Sequence, residues 1–354
     1  MTGSDEESAP DSDSAPAPVV REARPADADA VAAFTRDTWG ERSDDYIPRV
    51  FPEWAASDDP DRGTFVATLP PDAVEAADLD DRESGDTLVE DDGTDAAASG
   101  DREAVVGCIQ GVLLSEWEAW GQGIRVDPAA RGHGVGTVLS EAALDWSRER
   151  GATVCRNMVF SWNIMGLGQS RAVGFEPATE FRFAEPAPDP DAVDRDATDL
   201  DILADPDPNA AWALWSDSDA RDHLRGLALD PDESWACSAL TRERLRSAAD
   251  DDRLLAVAGA DALAGFAVRA RVTEREEEGE TTRTATYGVA AWRDIDAAGA
   301  LYDAIATDAA AVDADAARVL IPETVEHVSD TGANRVPVAS EPDFVMAADL
   351  TGEP

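Results

Sequence analysis

Residues Gly123–Thr137 read G-I-R-V-D-P-A-A-R-G-H-G-V-G-T, and this stretch decides how the rest of the chain is interpreted. A short strand ending at Val126 is terminated by Asp127-Pro128. Glycines at 132, 134 and 136 follow, and Thr137 opens a segment with helical apolar periodicity. Glycines at alternate positions let a backbone come close to a ligand. N–H groups at the positive end of a helix are suited to bind an anion such as a diphosphate.

Two other kinds of glycine-rich phosphate loop can be compared with this stretch. A Walker loop needs a lysine on the phosphates, and none of the 354 residues is a lysine. A dinucleotide-binding fingerprint has an acidic residue about 20 positions further on, at the end of the next strand. The next predicted strand, 153–159, contains no acid. A glycine-rich turn that serves only helix–strand packing stays open as an alternative.

The stretch resembles the coenzyme A loop of the GCN5-related N-acetyltransferases, the GNAT superfamily. The family pattern, Arg/Gln-x-x-Gly-x-Gly/Ala after a strand ending in V-x-P, is met by Arg131, Gly134 and Gly136. A second family signature, N-x-x-A-x-x-L-Y-x-x-x-G-F, is matched by Asn163 and by Gly174-Phe175. The sequence departs from this signature where Ser170 stands at the tyrosine position.

The resemblance implies an α/β fold of the GNAT type, with a mixed central sheet flanked by helices. It implies acetyl-CoA as co-substrate, no metal, and direct transfer of the acetyl group to an amine. The residues that it places at the cofactor are Ile124, Arg125, Val126, Arg131, Gly132, His133, Gly134, Val135, Gly136, Thr137 and Asn163.

Three residues are candidates for the proton transfers of such a reaction. Glu118 and Glu116 are predicted to share one face of the strand before the loop, because residues i and i+2 of a strand point the same way; either would serve as the base. With 75 acidic residues in the chain, a glutamate can also stand there by chance. Ser170 is the candidate acid, although a serine hydroxyl is a poorer acid than a tyrosine.

Composition shifts and a repeated pattern predict the domain organisation. We expect a disordered acidic tail over 1–18, an acetyltransferase domain over 19–185 with an acidic insertion at 69–103, and a linker over 186–206. Residues 207–350 repeat the same order of elements, with A-L-A-G-F-A-V aligned to A-V-V-G-C-I-Q. At the place of the glycine loop this half reads W-R-D-I-D-A-A-G-A. We therefore predict a tandem duplication with a degenerate second GNAT-like domain.

The charge of the chain restricts its partners. The 75 acidic residues outnumber 29 basic ones, all of them arginine, for a formal net charge of −46. This composition resembles that of proteins from extreme halophiles, and without a basic stripe a nucleic-acid partner is not expected. No apolar run approaches a membrane span, and the acidic first residues lack the apolar core of a signal peptide. We expect a cytoplasmic protein.

Two classes of function remain open from the sequence. The first is an N-acetyltransferase acting on a small-molecule or peptide amine. The second is a non-catalytic acyl-CoA-binding or regulatory protein on the same fold, motivated by Ser170 and by the degenerate second half. The sequence predicts neither the acceptor nor the oligomeric state.

The acidic excess predicts a salt-dependent fold. At molar ionic strength the Debye length is about 3 Å, so the repulsion between carboxylates is screened, whereas at low salt it loosens the compact state. We expect the far-ultraviolet circular dichroism to weaken when KCl is lowered from about 3 M to about 0.1 M. An unchanged spectrum would contradict this prediction.

Overall fold

A computed structural model describes residues 16–36, 38–42, 45–71, 103–192, 200–260, 262–277 and 279–352. The chain divides into two compact units. Unit 1 comprises Met1–Leu113 and Gly121–Gly151, and unit 2 comprises Leu114–Trp120 and Ala152–Pro354. The predicted domain limits, 19–185 and 207–350, cut the chain elsewhere and stay a prediction.

The described residues form both strands and α-helices. The strands are β1 (Val19–Glu22), β2 (Arg62–Leu69), β3 (Ala104–Leu113), β4 (Glu118–Val126), β5 (Val154–Phe160), β6 (Glu176–Ala184), β7 (Asp201–Ile202), β8 (Leu227–Leu229), β9 (Cys237–Ala239), β10 (Leu254–Ala258), β11 (Leu263–Glu277), β12 (Glu280–Trp292), β13 (Ala316–Pro322) and β14 (Asp343–Asp349). The α-helices are α1 (Ala28–Thr35), α2 (Ile47–Ala56), α3 (Val135–Glu149), α4 (Ile164–Ala172), α5 (Pro208–Ser216), α6 (Asp219–His223), α7 (Arg242–Asp250), α8 (Ile295–Ala311) and α9 (Val325–Ala333).

In unit 1, the strands lie in the order β1-β2-β3-β4, and α3 covers one face of this sheet. The apolar residues that α3 buries include Leu139 and Trp146, as its helical periodicity predicts. Trp146 packs directly on β2, where a Cβ atom at Gly63 would lie 2.5 Å from the indole Cε2. Only glycine allows so close an approach of helix and strand. A separate apolar cluster joins α1 and α2 to Val66 and Cys108.

In unit 2, the strands lie in the order β5-β14-β6-β13-β12-β11-β10-β7. The first three residues of β4 pair in parallel with β5, from Glu118 opposite Val154 to Trp120 opposite Arg156. β14 lies between β5 and β6 and is antiparallel to both, with Asp343 opposite Phe160 on one side and Phe181 on the other. The long helix α8 packs on this sheet, and Leu301 and Ile305 are buried in the shared core. β8 and β9 form a separate antiparallel pair.

The order of elements is repeated along the chain, as predicted. The antiparallel pair β2–β3, the neighbouring strand β4, the helix α3 and the parallel strand β5 are matched by β10, β11, β12, α8 and β13. The sheets mix parallel and antiparallel pairs and carry helices on their faces, so the predicted fold class is confirmed, including the duplication.

Several predictions lie wholly or partly outside the described residues. These are the first 15 residues of the acidic tail, residues 72–102 of the insertion and residues 193–199 of the linker. Among the described helices, none is both long enough and apolar enough to cross a membrane.

Candidate functional site

The predicted cofactor loop of unit 1 connects β4 to α3 through a short 3-10 turn. Asp127 caps this turn, because its carboxylate accepts a hydrogen bond from the N–H of Ala129 at 2.9 Å. Gly132 and Gly134 then adopt left-handed φ angles of 82° and 76°, which favour glycine. Gly134 is the N-cap residue of α3, so the helix begins at Val135 and not at Thr137 as predicted.

The N–H groups of this loop point away from acceptors in the chain. Thr137 and Val138 donate to the carbonyl oxygen of Gly134, at 3.0 and 3.1 Å. The N–H groups of residues 132–136 donate to no acceptor among the described residues. A Cβ atom at Gly132 or Gly134 would meet nothing within 4 Å, so the space beside the loop is open. Successive free N–H groups at a helix N-terminus form a concave site for an anion.

Arg131 and His133 are the basic side chains of the loop. Arg131 is exposed, and no carboxylate of the described residues lies within ion-pair distance of it. His133 is partly exposed, and its Nδ1 lies 3.2 Å from the carbonyl oxygen of Arg131. The planar guanidinium of Arg131 is suited to a phosphate. Loop backbone and Arg131 together therefore fit the diphosphate of a nucleotide cofactor.

Arg125, one of the predicted cofactor residues on β4, has its side chain bound within unit 1. Its Nε and Nη2 donate to the two oxygens of Asp45, at 2.6 and 3.0 Å, and Asp45 is buried. The guanidinium carbon also lies 4.7 Å from the ring centroid of Trp39. Arg125 therefore holds the segment around Asp45 against β4, and only the backbone of Ile124, Arg125 and Val126 is left for a cofactor.

The two candidate bases belong to unit 2 and do not share a strand face. β4 begins at Glu118, and Glu116 lies in an exposed bend before it. The bend is a tight turn, because the N–H groups of Leu114 and Ser115 donate to the carbonyl oxygen of Glu118. The prediction that both glutamates lie on the strand is therefore wrong.

Glu118 is 2% exposed, and its carboxylate is fully engaged. Oε1 accepts hydrogen bonds from Nη1 of Arg156 at 2.7 Å and from the N–H of Ala239 at 3.0 Å. Oε2 accepts one from Oγ of Ser115 at 3.2 Å. A buried carboxylate with a charged partner and two further donors joins three segments of unit 2. These contacts support a structural role, and the role of Glu118 as a base stays a prediction.

The remaining predicted residues, Asn163 and Ser170, lie at the ends of α4. Asn163 is the N-cap, and its Oδ1 accepts from the N–H of Gly166 at 3.0 Å. Ser170 is buried, and its Oγ accepts from Nδ2 of Asn157 on β5 at 3.1 Å. Oδ1 of Asn157 is itself buried without a hydrogen-bond partner among the described residues. Sequence analysis did not identify Asn157. The one feature that could have indicated it is its polar side chain within a largely apolar strand.

Two cysteines are excluded as nucleophiles by their surroundings. Cys108 and Cys237 are each 1% exposed, and burial raises the pKa of both thiols to about 12. They stay protonated at neutral pH, and a thiol is a poor nucleophile. Cys155, the third cysteine, is buried as well.

Comparison with known proteins agrees with this geometry. Residues 51–164, which include the loop, match the model of the acetyltransferase (GNAT) family. Over the whole chain, the structure is similar to a GCN5-related N-acetyltransferase from Sphaerobacter thermophilus, with a TM-score of 0.55 and 14% identity, covering 95% of this chain and 97% of that one. No curated protein sequence matches the chain.

Two further solved structures are less similar. A tandem GNAT protein from the clavulanic acid biosynthesis pathway has a TM-score of 0.48 and 13% identity, covering 95% of this chain and 100% of that one. A GCN5-related N-acetyltransferase from Kribbella flavida has a TM-score of 0.40 and 14% identity, covering 94% of this chain and 71% of that one. At these identities the likeness to the Sphaerobacter structure shows the fold, and the chain has the GNAT fold.

The loop geometry predicts a specific effect of Gly134→Ala on acetyl-CoA affinity. An added Cβ strains the left-handed backbone and projects into the open space beside the loop, so we expect affinity to fall about tenfold. Isothermal titration calorimetry measures this change.

The matched control is Gly151→Ala, at the opposite end of α3, where φ is 93°. Backbone strain is similar there, so both variants should lose about 1 kcal/mol of unfolding free energy. An equal loss of affinity in both variants, or in neither, would contradict binding at the loop.

The contacts of Glu118 predict that Glu118→Gln acts mainly on stability. Removing one partner of a buried ion pair leaves Arg156 uncompensated, at a cost of about 3 kcal/mol of unfolding free energy. Glu116→Gln, in the exposed bend, is the control and should leave the denaturation midpoint unchanged. A transfer rate about 100-fold lower at unchanged stability would instead identify Glu118 as a base.

Proposed function

We propose that the chain is an acetyl-CoA-dependent N-acetyltransferase that transfers the acetyl group directly to an amine. The observation that carries this proposal is the loop before α3, with the free N–H groups of residues 132–136 and the unpaired side chain of Arg131. The match of residues 51–164 to the acetyltransferase family supports it.

Acetyl-CoA supplies an acetyl group activated as a thioester. Within unit 1, the N–H groups of residues 132–136 and the guanidinium of Arg131 bind the diphosphate, and the backbone of Ile124, Arg125 and Val126 orients the arm that bears the thioester. A backbone N–H group near Val126 donates to the thioester oxygen as negative charge builds there.

The amine must lose a proton as it attacks, and the departing sulfur must gain one. Glu116 is exposed and has no described ion-pair partner, so it is free to accept a proton, unlike Glu118. The hydroxyl of Ser170 accepts from Asn157 and keeps its own proton for donation. Glu116, Glu118 and Ser170 stay the candidates for these transfers.

The second half is proposed to be a degenerate repeat that binds no acetyl-CoA. At the place of the glycine loop, the carboxylate of Asp294 caps α8 and accepts from the N–H of Ala297 at 2.9 Å. A second acid, Asp296, lies in the first turn of α8. Because the helix N-terminus already holds a carboxylate and carries two negative charges, it repels a diphosphate.

An aromatic side chain also fills the space beside α8. Trp292, at the end of β12, is 8% exposed, and its ring centroid lies 5.8 Å from that of Tyr302 and 4.9 Å from that of His327. Its Nε1 donates to Asp330 at 2.9 Å. The ring therefore bridges α8 and α9.

The remaining parts of the proposal rest on composition. The acceptor is a small-molecule or peptide amine and not a nucleic acid, because the chain is strongly acidic. A cytoplasmic location and adaptation to high salt belong to the same proposal.

Calorimetric titration and a turnover assay test the function together, both in about 3 M KCl to screen the carboxylates. We expect one acetyl-CoA bound per chain, and release of the CoA thiol that depends on an added amine. Binding without amine-dependent release would favour a non-catalytic acyl-CoA-binding protein. No binding by a folded protein would overturn the proposal, and two molecules per chain would overturn the degeneracy of the second half.

A further inference from the structure

Arg318 on β13 differs from most of the partly buried arginines of unit 2. Most of these contact carboxylates at close range, as in the pairs Arg156–Glu118 at 2.7 Å, Arg182–Glu323 at 2.6 Å and Arg269–Asp308 at 2.6 Å. No carboxylate of the described residues lies within ion-pair distance of Arg318. In a chain with 75 acidic residues, an arginine left without such a partner needs an explanation.

The guanidinium of Arg318 is held in a fixed plane. Its Nε donates to Oγ1 of Thr286 on the neighbouring strand β12 at 3.0 Å. Its carbon lies 4.8 Å from the ring centroid of Phe183 and 4.7 Å from that of Trp235. Both Nη atoms remain without a hydrogen-bond acceptor among the described residues. An oriented guanidinium with a free edge is suited to bind a carboxylate through two parallel hydrogen bonds.

Trp235 closes the site on its solvent side and is held there at an energetic cost. It is 39% exposed and has a φ of 65°, in the left-handed region that side chains other than glycine seldom adopt. Its ring makes edge contacts with Phe160 and Phe183, at centroid distances of 6.4 and 6.3 Å. Backbone strain of this kind is concentrated at binding and catalytic sites.

A second arginine adds positive charge to the site. Arg271 on β11 lies opposite Thr286 in the register and so faces the same side of the sheet. Its Nη1 donates to the carbonyl oxygens of Asp230 and Glu233, at 2.7 and 3.2 Å. Burial and then the charge of Arg271 lower the pKa of Arg318 to about 10. A bound anion would stabilise the charged form of Arg318 and so offset both the burial and the repulsion by Arg271.

Asp343 contributes a carboxylate to the site. It lies opposite Phe181 on β6, and residues i and i+2 share a strand face, so Asp343 and Phe183 face the same side. Burial raises the pKa of its carboxyl to about 6, and the charge of Arg318 opposes that shift. No described residue donates a hydrogen bond or forms an ion pair with this carboxylate.

We propose that this group, the Arg318 site, binds an amino carboxylate. The site comprises Arg318, Thr286, Phe183, Trp235, Arg271 and Asp343. The carboxylate binds the free edge of Arg318, and the amino group lies towards Asp343. The site needs only residues of unit 2 and does not depend on the proposed function.

The surrounding charges favour a carboxylate over a phosphate. The charges of Asp343 and Glu185 both act on Arg318, and that of Glu341 acts on Asp343. Phosphate esters carry close to two negative charges at neutral pH, and three nearby acids would repel them more strongly. An amino carboxylate carries one negative charge, which complements the free edge of Arg318, and one amine, which complements the carboxylate of Asp343.

The test is calorimetric titration with glycine, β-alanine, γ-aminobutyrate and ε-aminocaproate, which vary the separation of amine and carboxylate. We expect at least one member to bind with a dissociation constant of about 1–10 mM. Arg318→Gln should weaken that binding about tenfold or more, because a charge-assisted pair is lost. The amide of the same compound, without the carboxylate charge, should bind the wild type and Arg318→Gln equally weakly.

The matched control is Arg283→Gln, on the same strand as Thr286, where Arg283 pairs with Glu274. It removes the same charge at another place and should bind like the wild type. Asp343→Asn should weaken the binding of the amino carboxylate. It should leave unchanged the binding of the corresponding carboxylate without the amine. If no member of the series binds the wild type, or if Arg318→Gln and Arg283→Gln behave alike, the inference is wrong.

A measurement on the wild-type chain covers the case in which Arg318→Gln does not fold. Phenylglyoxal modifies guanidinium groups that are free of partners, and mass spectrometry locates the modified residues. We expect Arg318 to react and the bound amino carboxylate to protect it, with Arg131 unprotected. Reaction at Arg318 without protection by any member of the series would also overturn the inference.

The two proposals fail separately. If acetyl-CoA binds and no amino carboxylate of the series binds, the proposal of the Arg318 site is wrong and the proposal of a transferase is unaffected. Binding of the series without acetyl-CoA binding would reject the transferase and leave the Arg318 site.

Discussion

The left-handed backbone of Gly134 fixes where α3 begins, and the candidate acetyl-CoA site depends on that start. The N–H groups of Thr137 and Val138 bind the carbonyl oxygen of Gly134 as part of the helix. The N–H groups of residues 132–136 have no acceptor among the described residues. The repeat in the second half shows the alternative. Asp294 occupies the same structural position before α8, and its side chain satisfies the N–H of Ala297. The same topology thus has glycine before α3, where the loop is a candidate anion site, and aspartate before α8, where the helix end is capped.

Arginine is the only cationic side chain apart from three histidines, and its uses divide into two groups. Most of the partly buried arginines bind carboxylates and join segments that are distant in sequence, as Arg125 does with Asp45 and Arg182 with Glu323. Arg131 and Arg318 have no such partner among the described residues, and both have the edges of their guanidinium groups free. Burying a charge without a partner is costly, so the free edge of the partly buried Arg318 is more informative about a ligand than that of the exposed Arg131.

Local patterns in the sequence predicted the fold well, but they did not predict contacts between residues that are distant in sequence. The predicted strand 153–159 lies within one residue of β5, because apolar alternation and turn residues are local signals. The glycine loop before α3 was located for the same reason, and its role in binding a cofactor stays a prediction. The partners of Glu118 could not be predicted, since Arg156 and Ala239 reach it only through the folded sheet. The Arg318 site likewise gathers residues from β6, β11, β12, β13 and β14 and has no continuous motif.

The insertion of β14 between β5 and β6 has a consequence for the order of folding during synthesis. β5 and β6 leave the ribosome early, yet each has an edge that pairs with residues 343–349. Until those residues emerge, both edges are open, and an open edge can pair with another chain. Closing so long a loop is entropically costly, and long-range strand pairing is slow.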